Sequence, residues 1–150
     1  MSAVSAAMLV RKWEGFRSKP YLCPAGVPTI GYGFTRYPDG RAVTLADPAI
    51  DRDHADRVLV WLVENRYEPA ARRLCPTATG PVLVAVVDFL YNLGASNFKA
   101  STLRRKMLAR DWNGARPELL RWIRAGGRVL RGLVLRRTDE AALLPTGDGP

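Results

Sequence analysis

The 150-residue chain has a single histidine and only two cysteines, and that scarcity removes two classes of protein at once. A histidine-built zinc centre needs three or four nitrogen, sulfur or carboxylate ligands, and two cysteines cannot staple a small secreted scaffold. No metal and no cofactor is expected. Long apolar runs are also missing. The longest, residues 82–87, stops at Asp88 and falls far short of the roughly 20 residues that span a bilayer. The mildly apolar opening, residues 3–10, has its charges, Arg11 and Lys12, after it rather than before it, so no secretory leader is expected. Residues 145–150 read as a frayed tail.

What the chain does have is apolar mass and positive charge. With 47% hydrophobic and 25% charged residues it can bury a core and lacks the composition of a disordered polymer. Its length suits one domain. The formal net charge is +9, unevenly placed: residues 99–137 hold twelve basic side chains against Asp111 and Glu118. That segment carries the whole excess. It calls for a polyanionic neighbour, whether nucleic acid, membrane surface or acidic wall polymer.

Periodicity divides the chain into a mixed front and a helical back. Val4, Ala7, Met8 and Trp13 make a core-facing stripe on a helix over residues 3–13, ending near Gly15. Residues 20–44 are rich in Pro, Gly, Thr and aromatics. Residues 29–35 look strand-like, and Pro38-Asp39-Gly40 turns the chain into residues 41–44, giving a small antiparallel sheet. Thr44 or Asp47 is the expected cap of a long connecting helix with Pro48 in its first turn, a body over residues 51–67 and a break or kink at Pro69. Residues 82–93 are apolar almost all round and close at Gly94, as a helix at the centre of a bundle should. Helices over residues 103–109, 112–124 and 129–143 surround it, with Gly126-Gly127 as a stop and Trp112, Leu119, Trp122 and Ile123 in the core.

The chemistry concentrates near the front. Trp13-Glu14-Gly15-Phe16 sets one acid at a helix end; seven residues after Glu14 comes Tyr21-Leu22-Cys23, then Gly26 and Thr29-Ile30-Gly31-Tyr32-Gly33, whose glycines let a polymer approach the backbone. Tyr91-Asn92-Leu93-Gly94, Ser101-Thr102-Leu103, Trp122, Ala125-Gly126-Gly127, Gly132-Leu133, Arg136-Arg137 and Glu140 follow in order. Over roughly residues 9–144 this pattern resembles the phage-type lysozymes, glycoside hydrolase family 24.

The resemblance implies a mostly helical α+β, lysozyme-like fold in which a small antiparallel β-sheet lobe and a helical-bundle lobe flank a cleft. All 150 residues form one domain: residues 14–46 the β-rich lobe with the active site, 47–74 the connecting helix, and 77–144 with 3–13 the helical lobe. The implied activity is a muramidase cutting the β-1,4 bond between N-acetylmuramic acid and N-acetylglucosamine in peptidoglycan during host lysis. Glu14 takes the general-acid position, and Thr29 that of the threonine placing water or sugar. Tyr32, Gly33 and Asn92 fall at cleft positions. Two departures stand out: Cys23 where the family usually has aspartate, and Phe34 where it often has histidine. The implied partner is bacterial peptidoglycan, with electrostatic contact to the anionic envelope through residues 99–137, no nucleic acid, and a monomeric state. The implied route is host cytoplasm first, then release to the wall through a pore made by another protein.

Cys23 is the weak point of that assignment. Glycoside cleavage passes through an oxocarbenium-like transition state that needs a proton donor on one face and an anion or base on the other. A thiol serves only as thiolate, and an unperturbed one is a few per cent ionised at neutral pH. Arginines would lower its pKa; burial or an ionised Glu14 would raise it. Cys23 therefore acts as base or nucleophile, or else Glu14 and positioning supply most of the rate and Cys23 is nearly dispensable. Two other functions compete: a cysteine peptidase or amidase pairing Cys23 with His54, and a non-catalytic cationic module binding envelope or nucleic acid.

Overall fold

The computed structural model describes residues 3–146. Helix α1 (Ala3–Glu14) leads into a hairpin of β1 (Arg17–Leu22) and β2 (Pro28–Gly31), followed by a loop of turns and α2 (Arg52–Leu62). A π-helical turn (Val63–Tyr67) joins α2 to α3 (Glu68–Leu74). Then come α4 (Pro81–Leu93), α5 (Ala95–Lys99), α6 (Thr102–Leu108), α7 (Trp112–Leu119), a minimal hairpin of β3 (Arg124–Ala125) and β4 (Arg128–Val129), and α8 (Arg131–Ala142). This is the mostly helical α+β architecture expected.

Helix α4 is the axis of the helical lobe. Residues Val82 to Leu90 are all buried, and α1, α3, α5 and α8 pack around it. An all-apolar surface leaves such a helix no face for water, so its neighbours must close on every side. Gly80 and Pro81 start it and Gly94, at φ 88°, ends it. One hydrophobic cluster runs from Ala6 through Ile30, Leu59 and Phe89 to Leu144, joining the sheet region and the bundle.

Several expectations need correcting. On α1, Ala6, Ala7 and Val10 face the core, Trp13 is half-buried and Met8 is 60% exposed. The side chain of Val4 lies outside what is described, as do residues 147–150 of the tail. The sheet pairs β1 with β2, Tyr21 opposite Thr29, rather than residues 29–35 with 41–44; that second stretch makes only the isolated bridge Arg36 to Ala42. Asp47 does not cap the connecting helix. Its carboxylate accepts from the Thr44 amide, the Thr44 hydroxyl and the Tyr37 hydroxyl (3.0, 2.7 and 2.6 Å), holding the turn instead. Asp51 is the cap, accepting from the His54 amide at 2.7 Å.

Pro69 breaks nothing. The π turn inserts an extra residue ahead of it, Glu68 N–H bonds the Val63 carbonyl, and Pro69 sits in the first turn of α3, with the helical path continuous through it. The helix expected over residues 112–124 stops at Leu119, because Gly126-Gly127, both at positive φ, fold the next residues into the β3–β4 hairpin. Trp112 and Leu119 are core residues as expected, while Trp122 and Ile123 are half-buried.

Candidate active site

Glu14 is the last residue of α1, and its carboxylate enters the space between α1, α4 and α8. A cleft of about 340 Å³ opens there, lined by Trp13, Glu14, Asn92, Leu130, Gly132, Leu133 and Arg136. Trp13 is anchored at its indole N–H by Asp139, 3.0 Å away, which Lys12 also reaches at 2.7 Å.

The two carboxylate oxygens of Glu14 meet different surroundings. Oε2 accepts from Arg136 Nη1 at 2.6 Å. Oε1 lies against Gly33, where a Cβ would come within 2.8 Å of it. Burial pushes the Glu14 carboxyl above its ordinary value of 4.5, and Asp88 adds to the rise. Arg136 pulls the other way by charge and hydrogen bond, but desolvation wins.

Arg136 is itself gripped from behind. Its Nε and Nη2 donate to the two oxygens of Asp88 at 2.9 and 2.8 Å, a bidentate pair inside the core. Arg137 completes the cluster, donating to Glu140 Oε2 at 2.8 Å and standing 4.0 Å from Asp88. Burial, reinforced by the Asp88 charge, pushes the Glu140 carboxyl well up. Arg136 and Arg137 are therefore core residues, only 4% and 0% exposed, not part of the solvated cationic face that their sequence position implied.

The glycine-flanked turn is held from the helical lobe. Tyr91 Oη donates to the Tyr32 carbonyl at 2.6 Å, and the Tyr91 ring packs on Tyr67. Gly31 has φ 67° and Gly33 φ 84°, so both stand where only glycine is unstrained. At Gly31 a side chain would also strike the Phe34 ring. Tyr32 is only 2% exposed, its ring packed on Phe16 with the Arg11 guanidinium over it and its carbonyl taken by Tyr91, so it braces the turn and is not among the residues lining the cleft. Asn92 lines the cleft directly, and its buried Oδ1 has no hydrogen-bond partner among the described residues.

Cys23 begins the turn between β1 and β2 and is partly exposed. Its thiol is shifted below its ordinary value, chiefly because the Val27 N–H favours the thiolate, helped by the N–H groups of Ala25 and Gly26 and by the Thr29 hydroxyl. Thr29 is buried, and its hydroxyl donates to the Val27 carbonyl at 2.9 Å, so it braces the turn that carries Cys23. Both Cys23 and Glu14 act on the Tyr21 hydroxyl. His54 is not among the groups acting on Cys23; it lies exposed in the first turn of α2, which disfavours a cysteine–histidine peptidase. Cys75 is buried beside Thr77, and both cysteines are free.

A lone acid at a helix end, its proton affinity raised by burial beside a cleft between helices α1, α4 and α8, fits a lysozyme-type hydrolase. The chain belongs to the phage lysozyme family, whose description matches residues 11–140, and it is a glycoside hydrolase of the muramidase type. It is 48% identical over 135 residues to the SAR-endolysin of Enterobacteria phage P21, covering 85% of this chain and 74% of that protein. It is 31% identical to the endolysin of Bacillus phage B103, but spans only about half (52%) of that longer relative. Among solved structures, a P22 lysozyme variant superposes with a TM-score of 0.77 at 26% identity, covering 96% of this chain and 97% of that one. The muramidase domain of SpmX from Asticaccaulis excentricus gives 0.78 at 25%, with 95% of each chain covered.

The buried cluster behind Glu14 is what sequence reasoning missed. Asp88 had registered only as an interruption of an apolar run. The available signal was that an ionisable residue in the middle of an all-buried helix requires a cation, and the Arg136-Arg137 pair on the last helix was the candidate.

Proposed function

We propose that this muramidase cleaves the glycan strands of bacterial peptidoglycan with Glu14 as general acid and Cys23 as the second group. Glu14 gives its proton to the departing oxygen as the bond from the N-acetylmuramic acid C1 to that oxygen breaks, leaving an oxocarbenium-like centre. The Cys23 thiolate, favoured by the main-chain N–H groups of its turn, then serves that centre either as base to an attacking water or as nucleophile. A quenched reaction read by intact mass separates the two, because only the nucleophile leaves a glycosyl group on the protein.

The observation that carries the reading is the state of Glu14: a carboxyl whose proton affinity is raised by burial, yet which still opens to the cleft. Asn92, which lines that cleft, and the Gly33 backbone contact the sugar, while Thr29 and Tyr32 hold the turns from below. Exposed arginines of the β3–β4 hairpin and its flanks, Arg121, Arg124, Arg128 and Arg131, favour contact with the anionic envelope. The chain works as a monomer and reaches the wall from the host cytoplasm. Among the described residues no helix is long and apolar enough to cross a membrane.

Digestion of purified sacculi tests this reading. The wild type should release muropeptides with new N-acetylmuramic acid reducing ends, identified by mass, and Glu14→Gln should reduce their release by about 10³-fold or more. New amino groups without new reducing ends would instead indicate an amidase. Solubilisation that survives Glu14→Gln would remove Glu14 from the mechanism.

A further inference from the structure

Asp88 has no contact with the cleft, yet it is the one carboxylate on α4, a helix otherwise buried through Val82 to Leu90 by apolar side chains. Packing alone gives no reason for a carboxylate there, since burying a charge is unfavourable unless it is paired and hydrogen-bonded. Its pairing has a direction. Both Asp88 oxygens are taken by the Nε and Nη2 edge of Arg136, at 2.9 and 2.8 Å, and the remaining nitrogen, Nη1, lies 2.6 Å from Glu14 Oε2. A planar guanidinium held along one edge cannot turn, so Asp88 fixes where the third nitrogen points.

We propose that Asp88 is a positioning residue for the general acid: by gripping Arg136 it aims one N–H at Glu14 Oε2, leaves Oε1 to carry the proton, and cancels enough of the arginine's charge for Glu14 to keep that proton. The inference rests on the reading of Glu14 as the acid. The groups acting on Glu14 are Arg136 from α8 and Asp88 from α4, while Glu14 itself acts on the phenols Tyr21, Tyr67 and Tyr91 from β1, the π turn and α4. Around Asp88 itself stand Arg136, Arg137 and Glu140. The phenols are neutral at working pH, which leaves Arg136 as the one cation facing Glu14 and Asp88 as its counter-charge. Desolvation is the largest influence on Glu14 and the Asp88 charge adds to it, so removing Asp88 shifts the balance toward the pull of Arg136.

The test is a carboxyl titration by NMR on ¹³C-glutamate-labelled full-length chain, with the Glu14 signal assigned by its loss in Glu14→Gln, alongside the pH profile of sacculus hydrolysis. In Asp88→Asn the Glu14 midpoint should fall by about one unit or more, as expected for a carboxyl beside an unopposed arginine. The alkaline limb of the pH profile should move down with it, and kcat at neutral pH should drop about tenfold with KM little changed. The double variant Asp88→Asn with Arg137→Met removes one buried anion and one buried cation together, and it should show the same fall if the single variant does not fold. A folded variant with an unmoved midpoint and limb overturns the proposal, as does loss of the fold in both variants, which would make Asp88 purely structural. Survival of hydrolysis in Glu14→Gln is a separate result: it would defeat the reading of Glu14 whatever Asp88 does.

Discussion

Glu14 and Cys23 both act on the Tyr21 hydroxyl, yet their surroundings are built on opposite principles. Glu14 is four-fifths buried at the end of a helix, backed by a layer of paired charges in the core, and desolvation raises its proton affinity. Cys23 is partly exposed on a tight turn, backed by main-chain N–H groups, and hydrogen bonding lowers its proton affinity. Two groups pushed toward opposite protonation states suit the acid and base roles proposed for them. The difference also shows that the same end can be reached by tertiary or by local means. The acid depends on residues 74 and 122 positions away in sequence, the thiol only on its next six neighbours.

The thiol side of the comparison is the easier to break. Cys23→Ser keeps the size and the turn but removes the group that ionises, and the rate should fall by about 10² to 10³, the usual contribution of a positioned base. Cys23→Asp should stay active and carry the acid limb of the pH profile several units lower, because an aspartate ionises far below a thiol. Reducing-end assays from pH 4 to pH 9 read both variants. Equal rates for wild type and Cys23→Ser would mean that Glu14 and positioning supply the catalysis and the thiol is a bystander.

On the acid side, Gly33→Ala should cost nearly as much, about 10²-fold in kcat, since displacement of a reacting group by about 1 Å has that effect. The added Cβ would stand 2.8 Å from Glu14 Oε1 on a backbone at φ 84°, so either the turn or the carboxyl must move. Its expected signature is a lowered kcat in a folded protein, checked by circular dichroism. Tyr91→Phe is the milder version. It deletes the 2.6 Å bond to the Tyr32 carbonyl, and stability should drop by about 1 kcal/mol, or about 3 °C in Tm, with a several-fold loss of activity as the turn loosens.

The contrast between local and tertiary construction also explains what the sequence revealed. Glu14, Cys23, Thr29 and the glycines lie within twenty residues of one another, and their spacing alone points to a helix end facing a turn. The turn around Cys23 was not legible although its partners are its neighbours, because residues 29–35 and 41–44 around Pro38-Asp39-Gly40 looked like the strand pair. Arg136 and Arg137 stood out as motif positions but not as core residues. In a segment of twelve cations they looked like solvent-facing charge, and only the packing of α8 on α4 brings them to Asp88. Tyr32 failed in the other direction. It lies between two glycines, yet its ring is drawn into the core by Phe16 and Arg11, a contact that motif spacing does not announce. The π turn before Pro69 belongs to the same group: a proline reads as a break unless a preceding bulge moves it into a first turn.

The smallest expected effect tests the burial account itself. The folded-state pKa of Glu14 lies above its ordinary value of 4.5, so between those two points the folded chain binds more protons than the unfolded one. Stability must then fall as pH rises through that window, and what is present below 4.5 is lost above the folded value. Glu14→Gln removes this slope. At neutral pH the variant should be more stable by on the order of 1 kcal/mol, the gain typical of relieving a functional group held at a cost, and the advantage should vanish below pH 4.5. Asp47 does not confuse the measurement. Its pKa is lowered to about 2, chiefly by the Tyr37 hydroxyl, so its contribution is intact above 3.8 and is lost only as pH falls through about 2. Urea midpoints of wild type and variant from pH 4 to pH 8 therefore isolate Glu14. A difference that stays constant across that range would show that the carboxyl's proton affinity is not set by burial, and that Arg136, not desolvation, governs the acid.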